Sequence, residues 1–390
     1  MLLFLVVFLS VINCVVGKRV TIQAWYPKKL GSLTLRGNNC GLNWDKGMEM
    51  TYSSSTVNLK SSSLRGNVNT TAVAYIYSAT VDCSVDQLEV KVLVDDTIWM
   101  IGANHHINNV LTGEDNRKEE IYPWFYTFKG TTEILGHVYS KELGNYRDVI
   151  VYRPPSYLEN TLKMHKNVLI MHDGQNLFDP RTSAFGTAWM CQDTVDSLIV
   201  QGLMDEVLII GPYNTPDRTN EYTYVYDPSE KTGGKGDLYL DWIESTLFPL
   251  ITYEYRAVLQ RDRLGILGSS LGGLISCYAG WTRAKVYGKV GCMSSSFWWD
   301  ENDYQNNIIV NQKPDASVPY PHFYMDSGTS GGDGSCAVYT TQIFDYYLTQ
   351  GFQENKNIWK YIDQGGSHNE ASWGKRFYLP MESLYPATTV

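Results

Sequence analysis

The chain has 390 residues, which is enough for two domains of ordinary size. Charged residues make up 19% of the sequence and hydrophobic residues 43%, so we expect a packed core and exclude global disorder. The formal net charge is -9 at pH 7, and no segment concentrates lysine and arginine as a nucleic-acid-binding patch does. Nucleic acid is therefore excluded as a partner.

Residues 1–17 are almost wholly apolar and uncharged, and Val15-Val16-Gly17 supplies small residues for cleavage. The run is shorter than the ~20 residues that span a bilayer. We therefore predict a signal peptide over 1–17, with a membrane anchor as the alternative. Cleavage would give a secreted protein with no membrane contact, and the sequon Asn69-Thr70-Thr71 predicts a glycoprotein.

Seven cysteines are present, and Cys14 lies in the predicted signal peptide. The even number that remains permits disulfides in an oxidising compartment. Cys40 and Cys83 are the only two of these before residue 190, so we predict that they pair. The later four allow three full pairings, and Cys277 or Cys292 is also compatible with a buried thiol; the four are Cys191, Cys277, Cys292 and Cys336. The spacing of these cysteines does not match a zinc site, so no metal is predicted.

The segment 18–110 contains short alternating apolar runs separated by glycine, asparagine and serine. This pattern predicts an all-β sandwich domain. The apolar pattern lapses over 108–120, where we place the domain boundary. From 120 to 390, apolar runs alternate with longer amphipathic segments, which predicts an α/β domain with a mostly parallel sheet covered on both faces.

The predicted helices of the second domain lie near 186–203, 236–255, 271–284, 336–351 and 369–377. Gly268-Ser269-Ser270-Leu271-Gly272 matches the pattern G-x-S-x-G, with an apolar strand before it and a helical segment after it. That context predicts a nucleophile elbow with Ser270 as the nucleophile. Gly328-Thr329-Ser330-Gly331-Gly332 matches the same pattern, but Gly-rich sequence follows it, so we predict a loop there.

A serine nucleophile needs a base, which in α/β-hydrolases follows the last strand. Of the seven histidines, only His322 and His368 follow Ser270, and His322 begins a predicted strand. His368 is therefore the predicted base. The acid should precede it, and we favour Asp333, in the predicted loop 328–334, over Asp326.

The tetrahedral intermediate of ester cleavage needs two N–H donors, which together form an oxyanion hole. One should come from Leu271, the residue after the nucleophile. The segment His172-Asp173-Gly174-Gln175-Asn176 follows an apolar strand and is placed to supply the second. We select the Gln175 amide, with a plain Asx-type turn as the alternative.

The second domain resembles a family of esterases that includes the enterochelin esterases, feruloyl esterases and esterase D. The resemblance covers about 120–390, and its carriers are Arg147-Asp148-Val149-Ile150-Val151-Tyr152-Arg153-Pro154-Pro155, the segment 172–179, Arg218 with Asn220-Glu221-Tyr222, the segment 268–273, Ser294-Ser295-Ser296-Phe297-Trp298-Trp299 and the segment 366–373. It implies an α/β-hydrolase fold, ester hydrolysis by a Ser-acid-His triad and no cofactor. It further implies substrate contacts by Arg218, Glu221, Trp298 and Trp299. Family members tend to place the acid directly after the Gly-Thr that ends the penultimate strand, whereas Asp333 comes later.

The first domain resembles a starch-binding-type carbohydrate module around Trp44 and Trp99. An exposed tryptophan can stack on a sugar ring through its apolar face. Equally, both tryptophans fit the core of an immunoglobulin-like sandwich.

Together these features predict a secreted serine carboxylic ester hydrolase whose partners are an ester substrate and a polysaccharide. An acyltransferase with the same triad and a non-catalytic carbohydrate-binding or matrix protein are the alternatives.

Overall fold

A computed structural model describes residues 17–59 and 70–387. The predicted signal peptide and Asn69 of the predicted sequon lie outside the described residues. Among the residues that are described, no helix has both the length and the apolar character needed to span a bilayer.

The strands are β1 (Lys18–Tyr26), β2 (Leu33–Gly37), β3 (Met48–Glu49), β4 (Thr51–Leu59), β5 (Thr70–Cys83), β6 (Leu88–Val94), β7 (Ile98–Trp99), β8 (His105–Ile107), β9 (Arg117–Ile121), β10 (Thr131–Ser140), β11 (Asn145–Arg153), β12 (Val168–Met171), β13 (Leu208–Pro212), β14 (Tyr226–Asp227), β15 (Thr232–Gly233), β16 (Leu264–Ser269), β17 (Lys289–Met293), β18 (His322–Ser330) and β19 (Ile358–Ser367). The α-helices are α1 (Ser156–Glu159), α2 (Cys191–Val200), α3 (Arg218–Glu221), α4 (Gly236–Trp242), α5 (Phe248–Glu254), α6 (Leu271–Thr282), α7 (Trp299–Asp303), α8 (Ile309–Asn311), α9 (Asp333–Thr349), α10 (Glu370–Arg376) and α11 (Tyr378–Leu384). Single π-helical turns, Ile243–Leu247 and Tyr304–Ile308, join α4 to α5 and α7 to α8, and 3-10 turns form at Gly174–Asn176 and Arg261–Arg263.

The N-terminal part consists of two mainly antiparallel sheets that pack face to face, as predicted. One sheet has the order β4-β5-β1-β9, and the other has the order β3-β2-β6-β7 with β8 beside β6. Alternate residues of β1 point inward, and Val20, Ile22 and Ala24 are buried. This period of two lets each strand give one face to the shared core and the other to solvent.

The sandwich continues beyond the predicted boundary. Strand β9 lies within the polar stretch that we read as the boundary, and it pairs in parallel with β1. Arg19 also forms an ion pair of 2.7 Å with Asp115 just before β9. Strand β9 is the edge of its sheet and carries four consecutive charged residues, Arg117-Lys118-Glu119-Glu120. Because a charged edge strand lacks alternating apolar residues, the apolar pattern of the sequence did not predict it.

The second domain contains an eight-stranded sheet with the order β10-β11-β13-β12-β16-β17-β18-β19. The first two pairings are antiparallel, and every pairing from β13 to β19 is parallel. All residues of β12 and β16 are buried, as strands covered on both faces require. This strand order is the α/β-hydrolase architecture, which confirms the predicted fold class.

Parallel strands end at a common edge of the sheet, and this arrangement determines where a site can form. Ser270 follows β16, Ser294 follows β17, and His368 follows β19. The predicted helices are present with shifted ends: α2 begins at Cys191 instead of residue 186, and α9 begins at Asp333 instead of residue 336. Asp333 is the first residue of that helix rather than part of a loop, because β18 extends through Ser330.

Two disulfides stabilise the described part of the chain. Cys40 pairs with Cys83, which confirms the predicted bond. Cys277 pairs with Cys292, so the expectation that one of these two is a buried thiol is wrong, and the four later cysteines do not form a full pairing. The second bond joins α6 to β17, directly behind the Ser270 turn. Cys191 and Cys336 are buried free thiols.

We predict that peptide mapping without reduction will recover these two crosslinks, with Cys191 and Cys336 alkylated only after denaturation. Replacing Cys40 and Cys83 together with serine should lower the free energy of unfolding by about 4 kcal/mol, against about 3 kcal/mol for Cys277 and Cys292. The reason is that the first bond closes a separation of 43 residues and the second only 15. Chemical denaturation measures both values, and a larger loss from the shorter loop would contradict this order.

Candidate active site

Ser270 occupies a sharp turn between β16 and α6. Its backbone has φ 58 and ψ -124, a conformation that costs energy for any residue other than glycine. The turn holds Ser270 at the carboxyl edge of the sheet, while its neighbours Ser269 and Leu271 are buried. This is the strained strand-to-helix turn that exposes a nucleophilic hydroxyl in α/β-hydrolases.

Glycines on both sides of Ser270 permit close packing of the turn. A Cβ atom at Gly268 would lie 2.9 Å from the His172 ring and 2.8 Å from the backbone of Gly272. A Cβ atom at Gly273 would lie 2.3 Å from Ser295 Oγ. Any larger residue at either position would therefore displace the turn.

Three side chains from three chain segments form one hydrogen-bonded chain. The Ser270 hydroxyl lies 2.9 Å from His368 Nε2, and His368 Nδ1 lies 2.6 Å from Asp333 Oδ1. The Ser296 hydroxyl is also 3.2 Å from Ser270 Oγ. The structure thus brings together the predicted nucleophile, base and acid.

Asp333 is fully buried, and burial alone would raise the pKa of its carboxyl. Hydrogen bonds from His368, Ser294 and the Gly328 N–H outweigh burial, and the pKa of Asp333 falls below its ordinary value. The carboxylate is therefore held in its ionised form, as the partner of a histidine base must be.

Asp326, the alternative acid, has other partners. Its carboxylate accepts hydrogen bonds from Arg376 Nη2 at 3.0 Å and from the Tyr324 hydroxyl at 3.1 Å. Burial raises the pKa of Asp326, although Arg376 opposes that shift. The His368 ring is hydrogen-bonded through Nδ1 to Asp333, which accepts this bond, and not to Asp326.

The oxyanion-hole assignments differ in how well the structure places them. Leu271 is the first residue of α6, and the first helical hydrogen bond is donated by Leu274 to the Ser270 carbonyl. The Leu271 N–H thus lies in the first turn of α6, where the backbone N–H groups have no acceptor within the helix. Gln175 lies in the 3-10 turn after β12, but it is not among the residues that line the cavity beside Ser270. Its role stays a prediction.

A cavity of about 340 Å³ opens beside Ser270. Its volume is within the range of small-molecule sites. Aromatic and polar side chains share its wall: Asp173, Asn176, Ala184, Phe185, Trp189, Asn214, Arg218, Ser269, Ser270, His368, Glu370 and Trp373. The cavity therefore offers apolar surface and hydrogen-bonding groups next to one hydroxyl.

Arg218 reaches this cavity in an ion pair with Asp173. Its guanidinium donates two hydrogen bonds to the Asp173 carboxylate, at 2.7 and 2.8 Å, and Asn214 donates a third at 2.6 Å. Burial would raise the pKa of Asp173, but Arg218 lowers it overall. The ion pair forms a fixed polar wall beside the nucleophile.

Three other predicted substrate contacts are not at the cavity. Glu221 is fully buried and pairs with the buried Arg147 at 2.9 Å, so the prediction that it touches substrate is wrong. Trp299 is also buried, and its indole N–H donates to the Val225 carbonyl, so this prediction is wrong as well. Trp298 is 39% exposed but does not line the cavity.

Trp44 and Trp99 form an adjacent pair on the surface of the sandwich. Their ring centroids are 6.3 Å apart with planes 30° from parallel. Trp99 is 39% exposed, Trp44 is half-buried, and the Arg36 guanidinium lies 5.1 Å from the Trp99 ring. The alternative that both tryptophans are core residues is therefore wrong.

Sequence reasoning did not identify several cavity residues. Trp373 packs edge-on against the His368 ring at 5.0 Å, and it belongs to the segment 366–373 that carries the family resemblance. Glu370 belongs to the same segment. Trp189 and Phe185 had no comparable signal, because an isolated aromatic residue does not show in the sequence which surface it faces.

A second, larger cavity of about 590 Å³ lies at the opposite edge of the sheet. The sandwich contributes His105 and His106 to its wall, and the segments preceding β12 and β16 contribute His165 and Arg263. His165 and Arg263 lie before β12 and β16, at the amino ends of these strands, whereas Ser270 follows the carboxyl end of β16. We therefore assign the candidate active site to the smaller cavity.

Comparison with known proteins identifies the family of this chain. Residues 140–379 match the protein family described as "Putative esterase". The chain belongs to this family. It is accordingly a carboxylic ester hydrolase, as predicted.

Individual relatives are distant. The uncharacterized protein YbbA of Bacillus subtilis (strain 168) is 27% identical over 261 residues, which cover 64% of this chain and 96% of YbbA. A solved ferulic acid esterase is 18% identical with a TM-score of 0.52, over 66% of this chain and 98% of its own. The BES protein of Bacillus cereus is 17% identical with a TM-score of 0.51, over 65% and 94%. These two structures share the fold of the second domain.

The two carboxylates can be separated by matched substitutions. Asp333→Asn should lower kcat by about 10⁴-fold, because the His368 ring loses the charge that orients it and stabilises its protonated form. Asp326→Asn should mainly lower the free energy of unfolding, by about 3 kcal/mol or more, because buried Arg376 loses its partner. Steady-state kinetics and urea denaturation measure the two effects. A crippled Asp326→Asn enzyme beside a nearly active Asp333→Asn enzyme would reverse the assignment.

Proposed function

We propose that this esterase is a secreted serine hydrolase that cleaves an acyl group from carbohydrate through a Ser270 acyl-enzyme. The observation that carries the proposal is the hydrogen-bonded chain from Ser270 Oγ through His368 to Asp333, at 2.9 and 2.6 Å. Its position beside a cavity at the carboxyl edge of the sheet supports the same chemistry.

In the proposed reaction, His368 Nε2 accepts the Ser270 proton as Oγ attacks the ester carbonyl carbon. Asp333 accepts the Nδ1–H of His368 and stabilises the imidazolium. The oxyanion of the tetrahedral intermediate accepts a hydrogen bond from the Leu271 N–H and from a second amide of the segment after β12. Collapse of the intermediate breaks the ester C–O bond, and His368 returns the proton to the leaving alcohol. Water then repeats the attack on the acyl-enzyme and releases the acid.

The cavity wall supports a substrate with an apolar or aromatic acyl part and a polar alcohol part. Phe185, Trp189 and Trp373 provide flat apolar surface, while Asn176 and Asn214 provide amide groups. Aromatic rings stack on sugar faces and on planar acyl groups alike, and amides hydrogen-bond hydroxyls.

The two disulfides support secretion, because such bonds persist in oxidising compartments. The apolar segment 1–17 supplies the export signal in this proposal.

Acyl transfer is the competing reaction for the same triad, since only the acceptor differs. Ser270 is only partly buried and lines the cavity, so water can reach the acyl-enzyme, which favours hydrolysis. Product analysis in the presence of a sugar alcohol separates free acid from a new ester.

Ser270→Ala should abolish ester hydrolysis, by about 10⁶-fold in kcat, because the attacking oxygen is removed. Ser330→Ala is the matched control, since Ser330 lies in the other G-x-S-x-G match, at the exposed end of β18, and should retain full activity. A fluorophosphonate probe should label the wild type and Ser330→Ala but not Ser270→Ala, as read by mass spectrometry of the tryptic peptide. Undiminished hydrolysis by Ser270→Ala would refute the proposed nucleophile.

A second role, for the sandwich, is binding of polysaccharide by the Trp44–Trp99 pair. The observation that favours it is the surface position of these adjacent rings, with Arg36 beside them. Binding there would keep the esterase near an immobile substrate and raise the local concentration of ester bonds.

Trp44→Ala combined with Trp99→Ala should weaken retention on insoluble polysaccharide by about tenfold or more, because each stacked ring contributes on the order of 1 kcal/mol. Turnover of a small soluble ester should not change, since the pair is outside the cavity. Tyr146→Ala removes an even more exposed aromatic ring from β11, which is 62% exposed, and serves as the control. Equal retention of all three proteins on starch, cellulose, chitin and xylan would exclude this role.

A further inference from the structure

Ser294 contacts Asp333, the acid of the proposed triad, and has a left-handed backbone conformation. It directly follows β17, its φ is 42, and it is fully buried. Its N–H donates to the Asp326 carbonyl at 2.8 Å, which holds it against the neighbouring strand. A left-handed serine persists where surrounding contacts fix it, and such positions concentrate at functional sites.

The Ser294 hydroxyl uses its full hydrogen-bonding capacity. Its oxygen accepts from Arg376 Nη2 at 2.7 Å and from the Trp373 indole N–H at 2.9 Å. Both lone pairs are then occupied, so the hydroxyl hydrogen points to its third neighbour, Asp333 Oδ2, at 2.8 Å. The arrangement makes Ser294 a donor to the triad acid and excludes the reverse.

Arg376 supplies the charge of this network. The guanidinium is buried, pairs with Asp326 at 3.0 Å and lies 3.7 Å from Asp333 Oδ2. Its other terminal nitrogen is 3.5 Å from Asp363. At these distances and this depth, its positive charge acts on Asp333 with little screening by water.

Trp373 connects the same hydroxyl to the base. Its indole N–H is held by Ser294, and its ring packs edge-on against the His368 imidazole with a centroid distance of 5.0 Å. One serine therefore contacts the acid directly and the base through a single aromatic ring.

We propose that Ser294 and Arg376 are positioning residues that fix the orientation and the charge of Asp333, and through Asp333 those of His368. The inference rests on the proposed function, because it assigns these residues to the serine hydrolase reaction of Ser270. Ser294 fixes the geometry of the carboxylate and helps to keep it ionised, and Arg376 adds a permanent positive charge beside it.

The sign of the charge effect follows from the groups that face Asp333. They are His368, Arg376, Asp326 and Cys336, while Asp363 faces Arg376. Arg376 is the permanent cation of this set. Its removal would make Asp333 harder to ionise. The hydrogen-bonded Asp333–His368 pair would then keep its extra proton to a higher pH, which extends the inactive, protonated state in that direction.

The first experiment removes the hydroxyl and restores it. Ser294→Ala should lower kcat about ten- to a hundredfold with little change in KM, because a hydrogen bond to an ionised group is lost. Ser294→Thr keeps a hydroxyl and should recover part of that activity, although its extra methyl group must be accommodated at a buried position with positive φ. Thr340→Val removes another buried hydroxyl from α9, the helix that Asp333 begins, and should match the wild type. Rates are expressed per Ser270 titrated with fluorophosphonate, so unfolded molecules do not contribute.

The second experiment separates charge from shape at Arg376. Arg376→Gln should move the acid limb of the kcat/KM profile to higher pH by about one unit, whereas Arg376→Lys should leave the limb near its wild-type position. A merely structural residue would lower the rate at every pH without moving the limb. If either variant fails to fold, the Ser294 series decides the question alone.

Two results would overturn the proposal: a Ser294→Ala enzyme with wild-type kcat, or acid limbs of Arg376→Gln and Arg376→Lys that coincide. Failure of the proposed function looks different, since the wild type would then hydrolyse no ester and take no label at Ser270. In that case NMR of the Nδ1 proton of the His368 ring still tests the positioning role. The Nδ1 proton resonance should move in Ser294→Ala and stay in Thr340→Val, and an unchanged resonance would count against it.

Discussion

The structure depends on keeping one fully buried carboxylate ionised. An isolated charge at the depth of Asp333 would be too costly to retain, so its oxygens must be met by donors. Those donors come from three separate segments: Gly328 in β18, Ser294 after β17 and His368 after β19. The same contacts that make burial of the charge tolerable also aim the imidazole at Ser270. Folding of this edge and assembly of the triad are therefore one physical event.

The strand order makes that convergence possible. Strands β16, β17, β18 and β19 are consecutive neighbours in the sheet, and their registers place Ser269 beside Met293 and Met293 beside Asp326. The residues that follow each strand are consequently within side-chain reach of one another. The Cys277–Cys292 bond ties the helix after β16 to β17 and restrains the same edge. A single sheet edge thus supplies the proposed nucleophile, base and acid, together with the groups that hold the acid.

Sequence reasoning located the parts of this site that have local signals. Ser270 lies between a strand and a helix in a glycine-rich turn, and His368 follows the last strand, so chain order alone points to both. Glu221 and Trp299 were misassigned because membership in a family motif does not show whether a side chain faces the cavity or the core. Strand β9 was not predicted because an edge strand can be charged along its length. The Cys277–Cys292 bond could not be predicted because its pairing depends on which helix packs on which strand. What the sequence lacked in each case was a distance between segments far apart in the chain.

Glu221 also shows how a buried motif residue can matter without touching substrate. Its carboxylate pairs with Arg147 of β11, both side chains being fully buried, and it accepts further hydrogen bonds from Asn145 and Thr215. Breaking such a pair leaves an uncompensated charge and costs about 3–5 kcal/mol, so α3 is firmly attached to the sheet at that end. Arg218 is the first residue of the same helical turn and Glu221 the last. The anchored turn places Arg218 against Asp173, beside Ser270. The spacing of the two motif residues is thereby explained: Glu221 holds the turn, and Arg218 forms part of the cavity wall.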